Sequence, residues 1–492
     1  MQVRSKIQRY HQARLSRDAR FDGTFFIAVK TTGIYCRPVC PAKMPKEENI
    51  EYFDHAHQAT QAGYRPCLRC HPDSAPGSPV WKGVDTTLER AKRLIDNGAL
   101  EQSNLLELSD RLGISDRYLR KLFDLHLGVS PKSYALFRQC EFAKNLLHQT
   151  TLPITDIAFA AGFNSIRRFN DCFKKQLLMN PSQVRKQQFV TSNALELKLY
   201  YRPPYNWQQI HAFLSARIIE DMEWVKERNK KRGMEEGEKR DVKEANCYGR
   251  TFQWQNQQDS CKGEFTAVHN EKHHRFDVRI EIDNLRLLKP VVNNIRRILD
   301  LDTDSKTIEH CLQTAGFNNI IEGIRLPGTW NTFEAGVRGV LGQQISVVAA
   351  LKLVKQVVHE LGERTTNDKI YFPSISSIAE TDFSFLKMPG RRKQTLIDLA
   401  KYHLQHKLRD NTCDPNEWIS INGIGPWTVN YAKMRGLSDP DVFLGGDLGI
   451  KKVMQQATRK EQKEPSTHQP GDPKATAPFR SYLTFQLWSQ LS

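Results

Sequence analysis

The sequence lacks any apolar run long enough to cross a membrane. A membrane-spanning helix needs roughly 18 unbroken apolar residues, and the chain offers no such stretch. Its first 21 residues also lack the apolar core of a secretion signal and carry basic residues such as Arg4, Arg9 and Arg14 instead. With 39% hydrophobic and 26% charged residues, the composition is that of a soluble globular protein. We therefore expect a cytoplasmic protein with no membrane partner.

The sequence also lacks the cysteine pattern of a disulfide framework. Its ten cysteines stand in a chain of cytoplasmic character, where thiols stay reduced and metal binding or reactivity is the commoner use. Four of them form a cluster, at Cys36, Cys40, Cys67 and Cys70. We interpret the other six as small buried apolar side chains; they are Cys140, Cys172, Cys247, Cys261, Cys311 and Cys413.

Acidic residues are too few to balance the basic ones. The formal net charge is +17, and residues 1–190 alone hold 29 Lys and Arg against 18 Asp and Glu, so the excess is concentrated in the first part of the chain. Such a charge suits a polyanionic partner. Many soluble proteins without such a partner are also basic, so charge alone is a weak argument.

A chain of 492 residues is too long for a single hydrophobic core. Residues 1–75 hold the cysteine cluster and end in a turn-rich linker, and residues 84–188 are helical throughout. Residues 190–285 mix strand and helix patterns, and residues 286–492 are again helical. We therefore expect a mainly α multidomain protein with a small α+β cysteine domain, an all-α domain, an α+β domain and a helical domain.

Local patterns place a few elements within these domains. Leu195–Tyr201 and Phe276–Ile282 alternate apolar and polar residues, which predicts two strands. The polar stretch 455–478 contains four prolines and predicts a long loop with no catalytic residue. A final helix is expected to begin near Arg480.

The four clustered cysteines have the spacing of a zinc site. Cys36 and Cys40 are separated by three residues, and Cys67 and Cys70 by two. The chain can therefore bring two close pairs around one tetrahedral ion. A purely structural zinc site, in a domain too small for a good core, is the alternative, and spacing alone favours it.

The segments Thr31–Cys40 and Gly63–Cys70 place Arg-Pro directly beside each cysteine pair. They resemble the Ada-type methyl-phosphotriester-accepting domain. The resemblance implies that all four cysteines bind one zinc ion and that Cys36 also accepts a methyl group from a methylated DNA phosphate. Four thiolates around Zn²⁺ carry a net charge of about minus two, so a ligand sulfur keeps nucleophilic character. Methylation would remove one negative charge and so favour binding to the DNA polyanion.

Residues 84–188 contain two similar helix-turn-helix patterns. In the first, Gly113 and a capping Ser115 separate two helical segments, and Gly162 and Ser165 hold the same places in the second. Two such patterns joined by a helix resemble the AraC-type DNA-binding module.

Arg167 and Arg168 follow the second turn and would face a DNA groove. The AraC-type resemblance implies promoter DNA as a partner, RNA polymerase as the further partner of an activator, and association with the nucleoid. A helical scaffold that reads no sequence is the alternative, and the two arginines argue against it.

Near the C-terminus, the turn Gly423-Ile-Gly425 lies between helical segments. Glycines let backbone amides approach a phosphate at a helix N-terminus, where the helix dipole favours an anion. An isolated Gly-x-Gly is more often an ordinary turn. Here, however, Asp447 follows nineteen residues after Thr428 as a lone acid among glycines.

Over about residues 195–492 the chain resembles bacterial 3-methyladenine DNA glycosylase II, a member of the helix-hairpin-helix glycosylase superfamily. The resemblance implies an N-glycosyl hydrolase that acts on double-stranded DNA carrying alkylated purines, with Gly423, Gly425 and Thr428 binding the DNA backbone. Besides the hairpin and Asp447, the similar segments are Tyr201–Trp207, Leu326–Glu334, Val340–Ser346 and Arg480–Leu483.

Asp447 is the expected catalytic residue of this half. The reaction needs a flipped base, a pocket for an electron-poor ring and a carboxylate that faces the sugar. Because a cationic alkylated purine leaves easily, a single carboxylate can stabilise the oxocarbenium-like sugar and orient or deprotonate water. The alternative role of Asp447 is a helix N-cap, although we expect Asp439 and Asp441 to be the caps.

Trp427, Tyr431 and Phe479 are expected to line the base pocket. Trp427 and Tyr431 lie four residues apart on one helical face, where their rings could stack on a cationic purine; core packing is the alternative. Phe479 stands where the family usually has a tryptophan. Gln344, an expected DNA-binding residue, stands where some relatives place an apolar wedge.

Three features that related repair enzymes use are missing from the sequence, and each absence excludes one repair reaction or cofactor. Bifunctional relatives place a Schiff-base lysine just after the hairpin, where this chain has Trp427. No cysteine follows Cys413 to hold an iron–sulfur cluster. We therefore expect a monofunctional glycosylase without such a cluster, which leaves an intact abasic site. The reactive Pro-Cys-His-Arg segment of O6-methylguanine repair is also missing, so that activity is not expected.

Three functions fit these patterns. The preferred one is a repair enzyme fused to a transcription regulator. The alternatives are an alkylation-responsive regulator whose glycosylase half only binds DNA, and a structural zinc protein that binds DNA. Asp447 and the intact Gly-x-Gly turn favour the first function over the second, and the Arg-Pro beside Cys36 favours it over the third.

Overall fold

The structure, a computed structural model, divides by its contacts into two compact units. The first consists of Met1–Ile95 and Gln102–Ser133, and the second of Asp96–Glu101 and Tyr134–Ser492. Among the described residues, no helix combines the length and apolar character that a membrane crossing requires. The described residues are 2–15, 25–40, 42, 44–54, 58–59, 62–67, 84–185, 195–226, 246–256, 259–317, 319–406, 414–463 and 471–491.

A four-stranded sheet in the order β3-β1-β2-β4 forms the start of the first unit. Helix α1 (Gln2–Leu15) accompanies it, with the Tyr10 ring stacked on that of Phe25 at 4.1 Å between centroids. Buried Arg14 donates to the carbonyl oxygen of Pro45 at 3.1 Å. The strands are β1 (Phe26–Val29), β2 (Ile34–Cys36), β3 (Ile50–Phe53) and β4 (Arg65–Pro66).

Two helix-turn-helix elements follow, one in each unit. In both, a glycine with positive φ, Gly113 at 70° and Gly162 at 84°, makes the turn. Ser115 then accepts from the backbone N–H of Tyr118, and Ser165 from that of Arg168, which confirms the predicted serine caps. The helices are α2 (Val84–Asp96), α3 (Ala99–Gln102), α4 (Leu105–Leu112), α5 (Asp116–Leu127), α6 (Pro131–Gln149), α7 (Ile154–Ala160), α8 (Ile166–Leu177) and α9 (Pro181–Val184).

A five-stranded antiparallel sheet in the order β5-β9-β8-β7-β6 lies in the second unit with helix α10 (Trp207–Ser215). Both predicted strands are confirmed, as β5 and β9. Along β5 the leucines are buried and the alternate residues are exposed, as expected for a strand with one buried face. The strands are β5 (Leu195–Tyr200), β6 (Glu223–Lys226), β7 (Cys247–Gln255), β8 (Ser260–Asn270) and β9 (Arg275–Ile282).

The rest of the second unit is helical, so the predicted mainly α multidomain fold is confirmed. The final helix begins at Arg480, where the sequence indicated. The helices are α11 (Leu288–Ile298), α12 (Ser305–Thr314), α13 (Thr332–Leu341), α14 (Val347–Leu361), α15 (Ile375–Glu380), α16 (Gly390–Gln405), α17 (Pro426–Gly436), α18 (Leu448–Lys463) and α19 (Arg480–Trp488).

The prediction of a loop from 455 to 478 is wrong in two places. Helix α18 continues to Lys463, and a short 3-10 helix occupies Pro473–Thr476. Between Gln455 and Pro465 there is no proline. The residues from Gln455 to Lys463 are mostly good helix formers such as Gln, Ala, Lys and Glu. The polar composition of this stretch therefore belongs to a helix rather than to a loop. Residues 464–470 lie outside the described residues.

The single cysteines behave largely as predicted. Cys140, Cys247 and Cys261 are buried, and Cys172 and Cys311 are half-buried. Burial raises the pKa of Cys140 and of Cys261 to about 12, so these thiols stay protonated and pack as apolar groups. Cys413 lies outside the described residues.

Buried ion pairs centred on Glu334 join the five-stranded sheet to helix α13. Arg250 of β7 donates both terminal nitrogens to the Glu334 carboxylate, at 3.2 and 2.8 Å. Arg338, one turn along α13, donates to Glu334 at 2.9 Å and to Glu223 of β6 at 3.2 Å. Glu334 is 1% exposed. Burial alone would raise the pKa of Glu334, but the two guanidinium groups outweigh it and hold that pKa well below its usual range.

We predict that Glu334→Gln destabilises the second unit by about 3 to 5 kcal/mol at pH 7, because it leaves buried arginines without their counter-charge. The lowered pKa means that the ionised Glu334 carboxylate stabilises the folded protein at any pH above its ordinary pKa, near 4.5. This stabilisation is lost as the pH falls below that value. The parent should therefore lose stability progressively as the pH falls from about 5 towards the folded-state pKa of about 2, by an amount that the variant lacks.

Urea unfolding followed by tryptophan fluorescence measures this difference, since seven of the eight tryptophans lie within residues 195–492. Glu363→Gln is the matched control, because Glu363 pairs with Lys262 at an exposed position. Equal effects of the two substitutions would contradict the prediction.

Candidate functional site

Strand pairing brings two of the clustered cysteines together. Strands β2 and β4 are parallel, with Tyr35 opposite Pro66. The next residue on each strand is a cysteine, Cys36 and Cys67, and the Cys67 N–H donates to the Tyr35 carbonyl at 3.0 Å. The two thiols therefore lie at the same end of neighbouring strands.

A tight turn adds the third cysteine. The N–H of Cys40 donates to the carbonyl of Arg37 at 3.1 Å, which returns the chain after Cys36. The sulfur atoms of Cys36, Cys40 and Cys67 all lie within 4.8 Å of one another. Cys40 and Cys67 are buried, and Cys36 is partly exposed. The fourth predicted ligand, Cys70, lies outside the described residues.

Three cysteine thiols at this spacing fit a thiolate-bound metal. Zinc–sulfur bonds of about 2.3 Å place tetrahedral sulfur ligands about 3.8 Å apart, within the limit that these three cysteines meet. Cys36 is the most accessible of the three. It is therefore the sulfur best placed to meet a second reactant.

The predicted hairpin is a tight turn at the start of helix α17. Gly423 has a φ of 89°, and a side chain there would lie 2.2 Å from the Thr395 hydroxyl. Gly425 has ordinary extended backbone, and nothing lies within 4 Å of the place a side chain would take. The first glycine is therefore required by the turn, while the second leaves open space beside the helix N-terminus.

Thr428 supports the hairpin from within. Its side chain is 1% exposed, and its hydroxyl lies 3.1 Å from Nε2 of Gln343. The same amide donates to the carbonyl of Gly423 at 2.9 Å. Gln343 therefore connects the hairpin to the segment between α13 and α14, and the Thr428 side chain is not available at the surface.

Asp447 lies where the hairpin helix, α18 and α19 meet. Its Oδ2 accepts from the indole N–H of Trp427 at 3.3 Å. Its Oδ1 accepts from the indole of Trp488 at 3.3 Å and from the backbone N–H groups of Gly449 and Ile450 at 3.0 and 3.2 Å. Oδ2 thus has fewer partners than Oδ1 and is the oxygen freer to act on a bound molecule.

Asp447 is also the N-cap of α18, and the expectation that Asp439 and Asp441 are the caps is wrong. Asp441 forms a two-point ion pair with Arg480 at 2.7 and 3.0 Å. Asp439 accepts from the backbone N–H of Asp441 at 2.9 Å. The two roles weighed for Asp447 do not exclude each other, because the cap uses Oδ1 and leaves Oδ2 to Trp427.

The aromatic residues of the expected base pocket divide into two groups. The rings of Trp427 and Tyr431 are stacked at 5.2 Å with an angle of 15°, beside the Asp447 carboxylate. Phe479 instead contacts Tyr482 edge to face at 6.4 Å. Trp488, which the sequence analysis missed, holds Asp447 from the other side. Trp488 is the last residue of the final helix, and no motif in the sequence marked it.

Gln344 is exposed on the turn before α14. Its φ of 59° is in the left-handed region, which a non-glycine residue adopts only under constraint. The apolar residues that follow it, Ile345, Val347 and Val348, are exposed by 37%, 51% and 67%. A protruding polar residue followed by exposed apolar ones is thus held beside the hairpin by its neighbour Gln343.

Two arginines that the sequence analysis missed lie behind Tyr431. Arg217 and Arg435 line a cavity of about 30 Å³ together with Tyr431, Glu223 and Glu334. Both guanidinium groups lie over the Phe213 ring, at 3.8 and 4.8 Å. Burial, with Arg435 nearby, lowers the pKa of Arg217 to about 10. Arg217 and Arg435 belong to no sequence motif, because only the tertiary fold brings them together.

Both arginines predicted to face a groove are exposed on α8. Arg167 and Arg168 follow the Ser165 cap in the first turn of the helix, and Lys174 and Lys175 are exposed in its last turns. The buried face of α8 consists of Phe169 and Phe173. The outward face of this helix is therefore strongly basic.

Three family models match consecutive parts of the chain. The metal binding domain of Ada matches residues 9–73, a helix-turn-helix domain matches residues 108–187, and the AlkA N-terminal domain matches residues 196–331. The first match contains the cysteine cluster, and the third contains the five-stranded sheet and ends just before α13.

One relative combines these parts in a chain of similar length. It is the "Probable bifunctional transcriptional activator/DNA repair enzyme AlkA" of Mycobacterium tuberculosis (strain CDC 1551 / Oshkosh), 32% identical over 507 residues that cover 98% of this chain and 96% of the relative. The chain belongs to this AlkA family of bifunctional transcriptional activator/DNA repair enzymes.

Other relatives resemble one half of this AlkA-family chain. The DNA-3-methyladenine glycosylase 2 of Escherichia coli is 28% identical and covers 59% of this chain and 95% of its own length. The "Bifunctional transcriptional activator/DNA repair enzyme AdaA" of Bacillus subtilis is 34% identical and covers 36% of this chain and 81% of its own length. The three resemblances drawn from the sequence, to the Ada-type domain, the AraC-type module and the glycosylase, are thereby confirmed.

We predict that alanine at the two hairpin glycines of the AlkA-type half changes the free energy of unfolding by different amounts. Gly423→Ala should destabilise the second unit by roughly 1 to 3 kcal/mol, because it combines a left-handed backbone with a contact to Thr395. Gly425→Ala should change the free energy of unfolding by less than about 0.5 kcal/mol. Urea titration of both variants checks this, and similar losses in both would show that the space beside Gly425 is not open.

Proposed function

We propose that this AlkA-family chain repairs alkylated DNA and regulates transcription. Its C-terminal half would hydrolyse the N-glycosidic bond of alkylated purines such as 3-methyladenine and leave an intact abasic site. Its N-terminal cysteine domain would accept a methyl group from a DNA methylphosphotriester onto Cys36. The observation that carries the first activity is the Asp447 carboxylate, held by the indole N–H groups of Trp427 and Trp488.

The base-release step depends on charge and on geometry. An alkylated purine is cationic and leaves as a neutral base, so the sugar develops positive charge as the bond breaks. The Oδ2 atom of Asp447 would stabilise that charge and orient the attacking water. Trp427 and Trp488 fix the carboxylate by their indole N–H groups, so little reorganisation is needed when the reaction occurs.

Recognition of the damaged base would use the stacked aromatic faces. The exposed side of the Trp427 and Tyr431 pair can stack on an electron-poor ring, which favours a cationic purine over a neutral one. Gln344 would occupy the gap that a flipped nucleotide leaves in the duplex. The backbone of the Gly423 to Gly425 hairpin would hold a phosphate at the N-terminus of α17.

The methyl transfer balances as a simple displacement. The Cys36 sulfur attacks the methyl carbon of the phosphotriester, the new S–C bond forms as the C–O bond breaks, and the phosphodiester leaves as an anion. One zinc ion held by Cys36, Cys40, Cys67 and Cys70 would keep the sulfur in its thiolate form. The methylated domain has one negative charge fewer, which favours DNA binding.

The two helix-turn-helix elements would carry the regulatory function. Helices α5 and α8 each begin with a serine cap and present basic residues to solvent, as expected for helices that enter a major groove. Promoter DNA would be their target, with RNA polymerase recruited by the bound activator and the protein associated with the nucleoid. The C-terminal half would need no iron–sulfur cluster for base release.

We predict that Asp447→Asn abolishes release of 3-methyladenine and 7-methylguanine from methylated duplex DNA, with a loss of at least about 100-fold. Asparagine preserves the N-cap, so the variant should stay folded, and loss of activity would report on the carboxylate itself. Chromatography of the released bases is the measurement, and Asp441→Asn is the control. No release by the parent protein would favour a regulator whose C-terminal half only binds DNA.

We predict that Cys36→Ala loses transfer of labelled methyl groups from methylated DNA to the protein. Cys140→Ala is the control, because that thiol is buried and protonated. Bound zinc, measured by mass spectrometry of the metal, should fall to a lesser degree than methyl transfer if the three other cysteines retain the ion. Undiminished methyl acceptance by Cys36→Ala would exclude it as the acceptor.

A further inference from the structure

The second helix-turn-helix is packed onto the C-terminal half of the chain. Buried side chains of α6, α7 and α8 and those of the five-stranded sheet and α11 belong to one continuous hydrophobic cluster. Both parts also lie within the same compact unit. The first helix-turn-helix, residues 105–127, belongs to the other unit.

A buried ion pair lies at the centre of this contact. Lys289 of α11 pairs with Glu101 of α3, and their side chains are only 5% and 10% exposed. Glu101 in turn lies against the turn of the second helix-turn-helix, since a side chain at Gly162 would come within 2.3 Å of its carboxylate. Gln139 donates to the Gly162 carbonyl at 3.0 Å and closes the same corner.

Further polar contacts surround the pair. Asn293, one turn beyond Lys289, donates to the carbonyl of Asp96 at 2.8 Å. Asp96 pairs with Arg138 of α6 at 2.7 Å. At the far end of α6, Gln149 accepts from the backbone N–H of Lys198 on edge strand β5 at 2.7 Å. These bonds join α6 to both α11 and the sheet.

An aromatic contact completes the interface. The guanidinium of Arg286, just before α11, lies 5.0 Å from the centroid of the Phe159 ring on α7. Burying a charged pair is costly unless its partners meet, so the Lys289–Glu101 pair favours the arrangement in which these two side chains stay in contact. The second helix-turn-helix is therefore held in one orientation on the repair half.

The exposed basic side of α8 takes no part in this packing. Its exposed residues are dominated by positive charge, with Asp171 as the single acid among four basic residues. None of the polar contacts described above uses these side chains. The four basic residues are Arg167, Arg168, Lys174 and Lys175.

We propose that the second helix-turn-helix is a fixed DNA-binding arm of the base-excising half, in which α8 neutralises backbone phosphates of the duplex that carries the lesion. This inference rests on the proposed glycosylase function and assigns it a second contact with its substrate. Because phosphate contacts carry no sequence information, the arm would act at lesions in any sequence. The same helix would then serve promoter recognition and lesion binding.

The first test measures binding of the full chain to a duplex of arbitrary sequence that contains one abasic-site analogue. Arg167→Ala/Arg168→Ala should raise Kd about tenfold and lower the slope of log Kd against log salt by about 2, since each phosphate contact contributes about 0.9. The matched control is Arg117→Ala/Arg120→Ala on α5, in the other unit, which should have a much smaller effect. Equal losses from the two pairs, or none from α8, would overturn the proposal.

The second test asks whether the arm is fixed or merely tethered. Lys289→Glu places two carboxylates at the buried contact and should raise Kd as the α8 variant does, while Lys289→Glu/Glu101→Lys restores opposite charges and should recover most of the affinity. In the Lys289→Glu background, removal of Arg167 and Arg168 should raise Kd less than twofold further. A full additional tenfold loss would show that α8 acts as a flexible tether.

The binding tests do not require base release, so they separate this inference from the proposed function. If the parent protein released no base, the glycosylase proposal would fail. The Kd values would still show whether α8 contributes to binding of the duplex. If base release is found, KM for the methylated duplex should rise in parallel with Kd in each variant. Base release with an unchanged KM in these variants would overturn the proposed role of α8 and leave the proposed glycosylase function standing.

Discussion

The geometry of the repair half depends on one buried carboxylate, that of Glu334, held between Arg250 and Arg338. Arg250 belongs to the sheet and Arg338 to α13, so the carboxylate fixes the sheet against the helix. Helix α13 in turn packs on α17, where Gly339 leaves room for the Tyr431 ring. The stacked aromatic pair, and through Trp427 the Asp447 carboxylate, are positioned by this series of contacts.

Features set by local sequence could be predicted. Gly113 and Gly162 indicated turns because a positive φ suits glycine, and the serines after them capped the following helices as expected. The proximity of Cys36, Cys40 and Cys67 followed from two close pairs in a short segment. The strands β5 and β9 were visible from alternation, since one face of the sheet is buried and the other meets solvent.

Features set by tertiary contacts could not be predicted in the same way. Trp488 looked like an ordinary helical aromatic, because nothing nearby in sequence marks its bond to Asp447, 41 residues away. Glu101 and Lys289 are separated by 188 residues, and each alone resembles a surface charge. Polarity also misled the interpretation of α18, because a helix built of polar helix formers and a loop can have similar composition.

The N-cap role of Asp447, together with its proposed catalytic role, constrains how this site can change over evolutionary time. The residue that would perform the chemistry also begins α18, so most replacements would loosen the fold as well as stop the reaction. Only asparagine, serine, threonine or glycine would largely keep the helix start. A lineage that lost base excision but kept the domain should therefore carry one of these residues at this position, and such a replacement would mark a glycosylase domain retained for its shape alone.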